Sequence, residues 1–109
     1  MSAADAHTVQ RVVDFIEKGY ADRMTLESIS AALRGEPQRL GRLFEKGRGM
    51  SVHEYVTRVR LDHAARLVSS SVKVEAVAMS VGYRSKKNFY RQFIRRFGVT
   101  PEKYRLHQR

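Results

Sequence analysis

Ile29-Ser30 … Leu33 … Leu40-Gly41-Arg42-Leu43-Phe44 … Gly49-Met50-Ser51 … Tyr55 is restated about 49 residues later as Val77-Ala78 … Val81 … Phe89-Tyr90-Arg91-Gln92-Phe93 … Gly98-Val99-Thr100 … Tyr104. Leu40/Phe89, Arg42/Arg91, Phe44/Phe93, Gly49/Gly98, Ser51/Thr100 and Tyr55/Tyr104 share one offset. In each copy apolar residues recur at helical spacing, stop at a short turn and resume. Each copy therefore predicts a helix, a tight turn and a second helix with an outward arginine. Two short helices joined in this way form a helix-turn-helix, whose second helix can enter a DNA major groove.

The rest of the chain supports that frame. Val9, Val12, Val13, Ile16 and Tyr20 follow helical spacing and predict a first amphipathic helix, with about seven polar residues ahead of it. Thr25 offers an N-cap for a short helix with Leu26, Ile29 and Leu33 on one face. Arg34-Gly35-Glu36 reads as a turn, and Pro37 suits the first position of the next helix, where a missing N–H costs nothing. Leu40, Leu43 and Phe44 give that helix a narrow apolar stripe, and Gly47 and Gly49 are expected to end it. Ser51 and Glu54 have the spacing of a capping box. The long helix that follows, to about Ser69, would extend about 27 Å at 1.5 Å per residue, a strut between two subdomains. Ser69-Ser70-Ser71 breaks it. Val74, Val77, Ala78 and Val81 mark another short helix closed by Gly82. Ser85 begins the next, with Phe89, Phe93 and Phe97 inward and Gly98 at its end, and Thr100-Pro101 starts a terminal turn or two containing Tyr104. No stretch alternates with period two. The expected fold is all-α, with about seven helices: helix-turn-helix subdomains at 7–50 and 72–106 and a linking helix at 51–69.

At 109 residues and 42% apolar composition the chain suits one modest core or two small ones sharing a helix. It has no cysteine, so disulfides and thiolate metal sites are excluded, which fits a reducing cytosol. No apolar run approaches the ~20 residues of a membrane span, and no signal-peptide core opens the sequence. A soluble cytoplasmic protein is expected. The net charge is +10 and is unevenly spread. Residues 1–52 carry 8 basic and 7 acidic side chains, and residues 53–109 carry 13 and 4. Arg84, Lys86, Lys87, Arg91, Arg95 and Arg96 follow one another without an acid among them. Such a patch suits a polyanion, because each neutralised phosphate releases condensed counterions. The competing reading is an ordinary solvated basic surface. An anionic membrane is disfavoured, since no lipid-facing apolar stripe remains once the core positions are assigned.

On the helix from Lys86 to Arg96, a spacing of 100° per residue puts Phe89 and Phe93 on one side and Lys87, Asn88, Arg91 and Arg95 on the other. Arginine can pair bidentately with guanine and asparagine with adenine, while lysines and Arg84 can reach phosphates. The helix from Pro37 to Lys46 presents Gln38, Arg42, Glu45 and Lys46 outward, with Gly41 at one edge. Gly41 supplies no side chain and costs the helix about 1 kcal/mol relative to alanine, so this helix is expected to make fewer base contacts. His7, His53, His63 and His107 lack the spacing of a metal site. There is no glycine-rich phosphate loop, no G-x-S-x-G and no catalytic constellation, and neither a cofactor nor a small-molecule site is expected. The acids of the second half, Glu54, Asp62, Glu75 and Glu102, are expected to be dispersed and mostly away from the basic surface, which disfavours an enzyme acting on nucleic acid.

Val77-Ala78 … Val81-Gly82-Tyr83 … Phe89 … Arg91-Gln92-Phe93 … Phe97-Gly98-Val99-Thr100-Pro101 … Tyr104-Arg105, with Tyr55 … Arg60-Leu61 … Ala64 … Leu67-Val68 before it, resembles the AraC/XylS family of bacterial transcription regulators. The resemblance covers about Val9 to Arg105. It implies two helix-turn-helix subdomains on a long helix and a monomer that docks both recognition helices in adjacent major grooves. Carried over by position, the implied base-contacting residues are Gln38, Gly41 and Arg42 in the first reader and Lys86, Lys87, Tyr90 and Arg91 in the second. Arg39, Lys46, Ser51, Arg84, Ser85, Asn88 and Arg95 are assigned to the DNA backbone. The family usually has serine or a similar cap where Glu36 stands, and often glycine where Arg34 stands; here the glycine comes one place later. The implied function is a sequence-specific, double-stranded DNA-binding transcription regulator, an activator by resemblance, with RNA polymerase as a further partner. The alternative is a basic interaction module that binds an acidic protein such as the polymerase without DNA specificity of its own. The starting methionine favours a short stand-alone member over the DNA-binding piece of a longer regulator.

Overall fold

The computed structural model describes residues 1–108. Among them are seven helices and no strand: α1 (Ala3–Gly19), α2 (Leu26–Leu33), α3 (Pro37–Arg48), α4 (Val52–Val68), α5 (Val74–Ser80), α6 (Lys86–Phe97) and α7 (Pro101–His107). The chain divides into two units, Met1–Val56 and the remainder from Thr57, so the boundary falls inside α4.

In the first unit α1 begins earlier than its apolar periodicity indicates. The Ser2 hydroxyl accepts from the Asp5 N–H at 3.1 Å, and Asp5 sits in the first turn, where a carboxylate favours a helix N-terminus. The polar residues expected ahead of the helix are thus its own opening turns. Thr25 caps α2 as expected, and Ser28 reciprocates through its hydroxyl, accepting from the Thr25 N–H at 3.0 Å. Val9, Val12, Val13 and Ile16 of α1, Ile29 of α2, and Leu40 and Phe44 of α3 are buried, as are Val52, Tyr55 and Val56 where α4 begins. Ser30 is buried too, and its hydroxyl donates to the Leu26 carbonyl at 2.7 Å. Gly47 does not end α3: the helix continues to Arg48 and Gly49 closes it with φ 73°. A Cβ on Gly47 would lie 3.1 Å from Val9, so that glycine allows α1 and α3 to approach closely.

The turn between α2 and α3 explains how the chain departs from the family pattern. The Gly35 N–H donates to the Ser30 carbonyl at 2.9 Å and the Arg34 N–H to that of Ala31 at 3.3 Å, the two bonds of a Schellman ending. The left-handed residue of that ending is Arg34, at φ 57° and ψ 42°. A glycine would be easier there, but the glycine stands at 35, where a Cβ would meet Leu40 at 2.8 Å. Glu36 then caps α3, its two carboxylate oxygens accepting from the Gln38 and Arg39 N–H groups at 3.0 and 2.8 Å.

The second unit repeats the design. Gly82 (φ 107°) holds the left-handed position; its N–H donates to the Met79 carbonyl at 3.1 Å and the Tyr83 N–H to that of Ala78 at 2.9 Å. One more residue than in the first turn follows before the cap of α6, so the offset between copies is 48 before the turn and 49 after it. Ser85 caps α6 and Thr100 caps α7. Phe89 and Phe93 are fully buried, and Phe97 is half-buried against Phe93 and Tyr104. The rings stack edgewise or tilted, Tyr83–Phe89 at 5.2 Å, Phe89–Phe93 at 5.7 Å and Phe93–Tyr104 at 5.5 Å, adding directional contacts to apolar burial. Arg105 ties α7 to the segment after α4, its guanidinium donating to the carbonyls of Val68 (2.7 Å) and Val72.

Candidate nucleic-acid interface

In each unit the second helix of the pair is fixed by what it buries. Leu40 and Phe44 hold one face of α3 inward, leaving Gln38, Arg39, Arg42, Glu45 and Lys46 exposed, with Gly41 half-buried at the edge. Phe89 and Phe93 do the same for α6, leaving Lys86, Lys87, Arg91 and Arg95 exposed and Asn88 and Tyr90 half-exposed. Arg84 and Ser85 are exposed in the turn ahead of α6. Ser51, at the start of α4, is half-exposed.

These residues differ in how far the protein itself engages them. Arg42, Lys87 and Arg95 form no ion pair with an acid among the described residues, so their donors face outward uncompensated. The Arg91 guanidinium donates to the Asn88 side-chain oxygen at 2.9 Å, one helical turn away, which aligns it along the exposed face. Asn88 thereby spends its acceptor inside the helix, and Ser85 its hydroxyl lone pair on the Asn88 N–H at 3.1 Å. In the first unit Arg39 reaches Asp5 at 3.3 Å. The Ser51 hydroxyl accepts from the Glu54 N–H at 3.1 Å, and the Glu54 carboxylate accepts in turn from the Ser51 N–H at 3.4 Å, completing the capping box.

The acids of the second unit do not stay away from the basic surface. Glu75 pairs with Lys86 at 2.7 Å, Glu102 accepts from the Tyr90 hydroxyl, and Asp62 takes two bonds from Arg96 at 2.8 and 3.1 Å. The Lys86 ammonium also lies 5.6 Å from the centre of the Tyr90 ring. Glu75, Lys86, Tyr90 and Glu102 thus form one chain of contacts from α5 through α6 to α7. The hydrogen bond between Glu75 and Lys86 lowers the carboxyl pKa and raises the ammonium pKa, each relative to its ordinary value. Partial burial, then the Glu102 carboxylate, raise the Tyr90 phenol above its ordinary value. Sequence reasoning misplaces these acids because they come from other helices, Asp62 from α4, Glu75 from α5 and Glu102 from α7. The Asn88–Arg91 pair, three residues apart on one helix, is detectable from spacing.

Among the described residues no three His, Asp or Glu side chains gather as a metal ion would require, and no helix is long and apolar enough to cross a membrane.

Residues 29–107 match the family model described as a helix-turn-helix domain. The chain is 31% identical over 100 residues to the lactose operon transcription activator of Staphylococcus xylosus, covering 91% of this chain but 36% of that protein. It therefore spans about a third of that relative's length. It is 30% identical over 103 residues to the multiple antibiotic resistance protein MarA of Salmonella typhimurium, covering 94% of this chain and 81% of MarA. Its fold superposes with a TM-score of 0.82 and 28% identity on a probable AraC family transcriptional regulator from Rhodopseudomonas palustris, covering 94% and 98% of the two chains. The chain belongs to the AraC family of helix-turn-helix transcription regulators.

Proposed function

We propose that this chain binds double-stranded DNA sequence-specifically, with α3 and α6 each inserted in a major groove, and that it regulates transcription by doing so. One observation carries the reading: both helices bury an apolar pair on one side and present base-capable side chains on the other, Arg42 on α3, Lys87 and Arg91 on α6. Base edges would be read by Gln38 and Arg42, with Gly41 allowing close approach, and by Lys86, Lys87, Tyr90 and Arg91. Arg39, Lys46, Ser51, Arg84, Ser85, Asn88 and Arg95 would hold phosphates and fix register. The subdomains would be 7–50 and 72–106, with 51–69 linking them. The role is binding without catalysis, in the compartment that holds the DNA, and its sense is activation, following relatives named as activators. Any contact with RNA polymerase would then fall on faces other than those turned to the duplex.

Selection from a random duplex library tests the reading. The expected product is a bipartite site bound at least ~10³-fold more tightly than random duplex at moderate salt. Equal binding to all duplexes would refute sequence-specific recognition and leave only a basic surface. A site of one half would remove α3 from the readers.

A further inference from the structure

Resting on that reading, the structure assigns a specific task to the place where α3 lacks a side chain: we infer that the recess at Gly41 receives the C5-methyl group of a pyrimidine. An open groove of about 540 Å³ runs beside α3 in the first unit. Gly41 is in its wall, between Gln38 and Arg42, and its apolar lining comes from Met24, Leu26 and Val52. Leu26 stands directly behind the glycine: a Cβ at position 41 would lie 3.2 Å from its Cδ2. At this edge of α3 two polar side chains, Gln38 and Arg42, therefore flank a patch of carbon.

The chemistry of the major groove selects the occupant. Base edges offer hydrogen-bond donors and acceptors there, and the thymine C5-methyl is the apolar group among them. Thr25, Ser51 and His53 also line the groove, but where Gly41 opens onto Leu26 the wall is carbon and offers a carbonyl or amino edge no partner, so such an edge would lose its water there without replacement. A methyl loses nothing of that kind. Glu45 also lines the groove, and its negative charge opposes a phosphate occupant. The recess is continuous with the side chains proposed to read bases, so a base edge held by Gln38 or Arg42 brings its neighbour to the glycine.

The test uses the full chain and its selected duplex. Each thymine in turn is replaced by uracil, which removes only the methyl, and each cytosine by 5-methylcytosine, which adds one. One position is expected at which uracil weakens binding, or 5-methylcytosine strengthens it, by about fourfold. That factor corresponds to ~0.8 kcal/mol at 1.4 kcal/mol per tenfold, the worth of one buried methyl. Gly41→Gln puts a better helix former at this half-buried position and lays an amide across the recess, its Cβ asking Leu26 Cδ2 to give slightly, and its thermal midpoint verifies that the fold is retained. The methyl effect at that position is expected to vanish in Gly41→Gln. If every thymine tolerates uracil and no cytosine gains from methylation, while the site is still preferred over random duplex, the inference is overturned and DNA recognition stands. It is likewise overturned if the methyl effect persists unchanged in Gly41→Gln. If no duplex is preferred at all, the functional reading falls and the inference with it.

Discussion

Replacing Arg34 by glycine should make the first unit more stable, against the usual effect of removing a large side chain. Arg34 sits at φ 57° and ψ 42°, a region that costs an ordinary L-residue roughly 1–2 kcal/mol and glycine almost nothing. Glycine loses about 0.5–1 kcal/mol of that advantage through its freer unfolded chain. The net expectation for Arg34→Gly is a gain of roughly 0.5–1 kcal/mol. For a unit of this size the gain appears as an increase of about 4 °C in the thermal midpoint, or about 0.5 M in urea at an unchanged slope of ~1–2 kcal/mol/M. The repeat supplies the internal control. Gly82 holds the corresponding place in the second unit at φ 107°, so Gly82→Ala should lose about 1 kcal/mol. Arg34→Ala separates conformation from charge, because it deletes the guanidinium but keeps a Cβ at positive φ, and it should gain nothing. Urea melts monitored by circular dichroism measure all three variants. An unchanged or lower midpoint for Arg34→Gly, or an equal gain for Arg34→Ala, would refute the claim that the turn is strained at that residue.

Further outcomes follow from the second unit. Arg91→Ala should cost about 1–3 kcal/mol on the selected site and relax preference at one base pair, measured by titration against single-base variants; uniform weakening on all duplexes would make Arg91 a phosphate contact. Glu75→Gln should free Lys86 from its 2.7 Å partner and steepen the dependence of log K on log salt by up to ~0.9, the increment for one phosphate; an unaltered slope would mean that the pair persists in the complex. Phe93→Ala should cost about 3–5 kcal/mol in a urea melt, since that ring is fully buried among Phe89, Phe97 and Tyr104. An unchanged melt would show that α6 presents the wrong face.

What can be read in the sequence is what depends on local chemistry. Thr25, Ser51, Ser85 and Thr100 cap their helices because a hydroxyl meets the N–H three residues on, a rule that needs no tertiary information. The inward aromatic pair of α6 follows from spacing alone. Sequence reasoning fails where a distant element decides. Gly47 has the composition of a terminator, yet it makes room for Val9 in the folded unit, and nothing within α3 indicates that α1 lies against it. Apolar periodicity starts α1 too late because the opening turns carry alanine and polar residues but no large apolar side chain, and the signal there is the Ser2 cap instead. In the candidate site, the exposed sides of α3 and α6 are legible from the helical wheel. The acids that hold Lys86 and Tyr90 are not, because Glu75 and Glu102 approach α6 from separate helices.

As the proposed readers, α3 and α6 are built on the same helix-turn-helix plan but would present different fields to a phosphate backbone. At the start of α6 the cap is Ser85, a neutral hydroxyl; Lys86 is paired with Glu75, but Arg84 and Lys87 have no acid partner among the described residues, so the positive end of the helix dipole is left for an anion. At the start of α3 the cap is the Glu36 carboxylate, which accepts from two N–H groups itself and brings a negative charge to the same place. Arg39, in the first turn of α3, is paired with Asp5. Glu36 thus does for α3 internally what a phosphate would do from outside, and the helix gains stability where it loses electrostatic grip. Affinity should accordingly be concentrated in α6, while α3 contributes through Arg42, Gln38 and the shape of its surface at Gly41. With Glu36 at its cap and Arg39 engaged by Asp5, α3 should add less than α6 to binding on random duplex, so a larger share of what it contributes on a matched site appears as specificity.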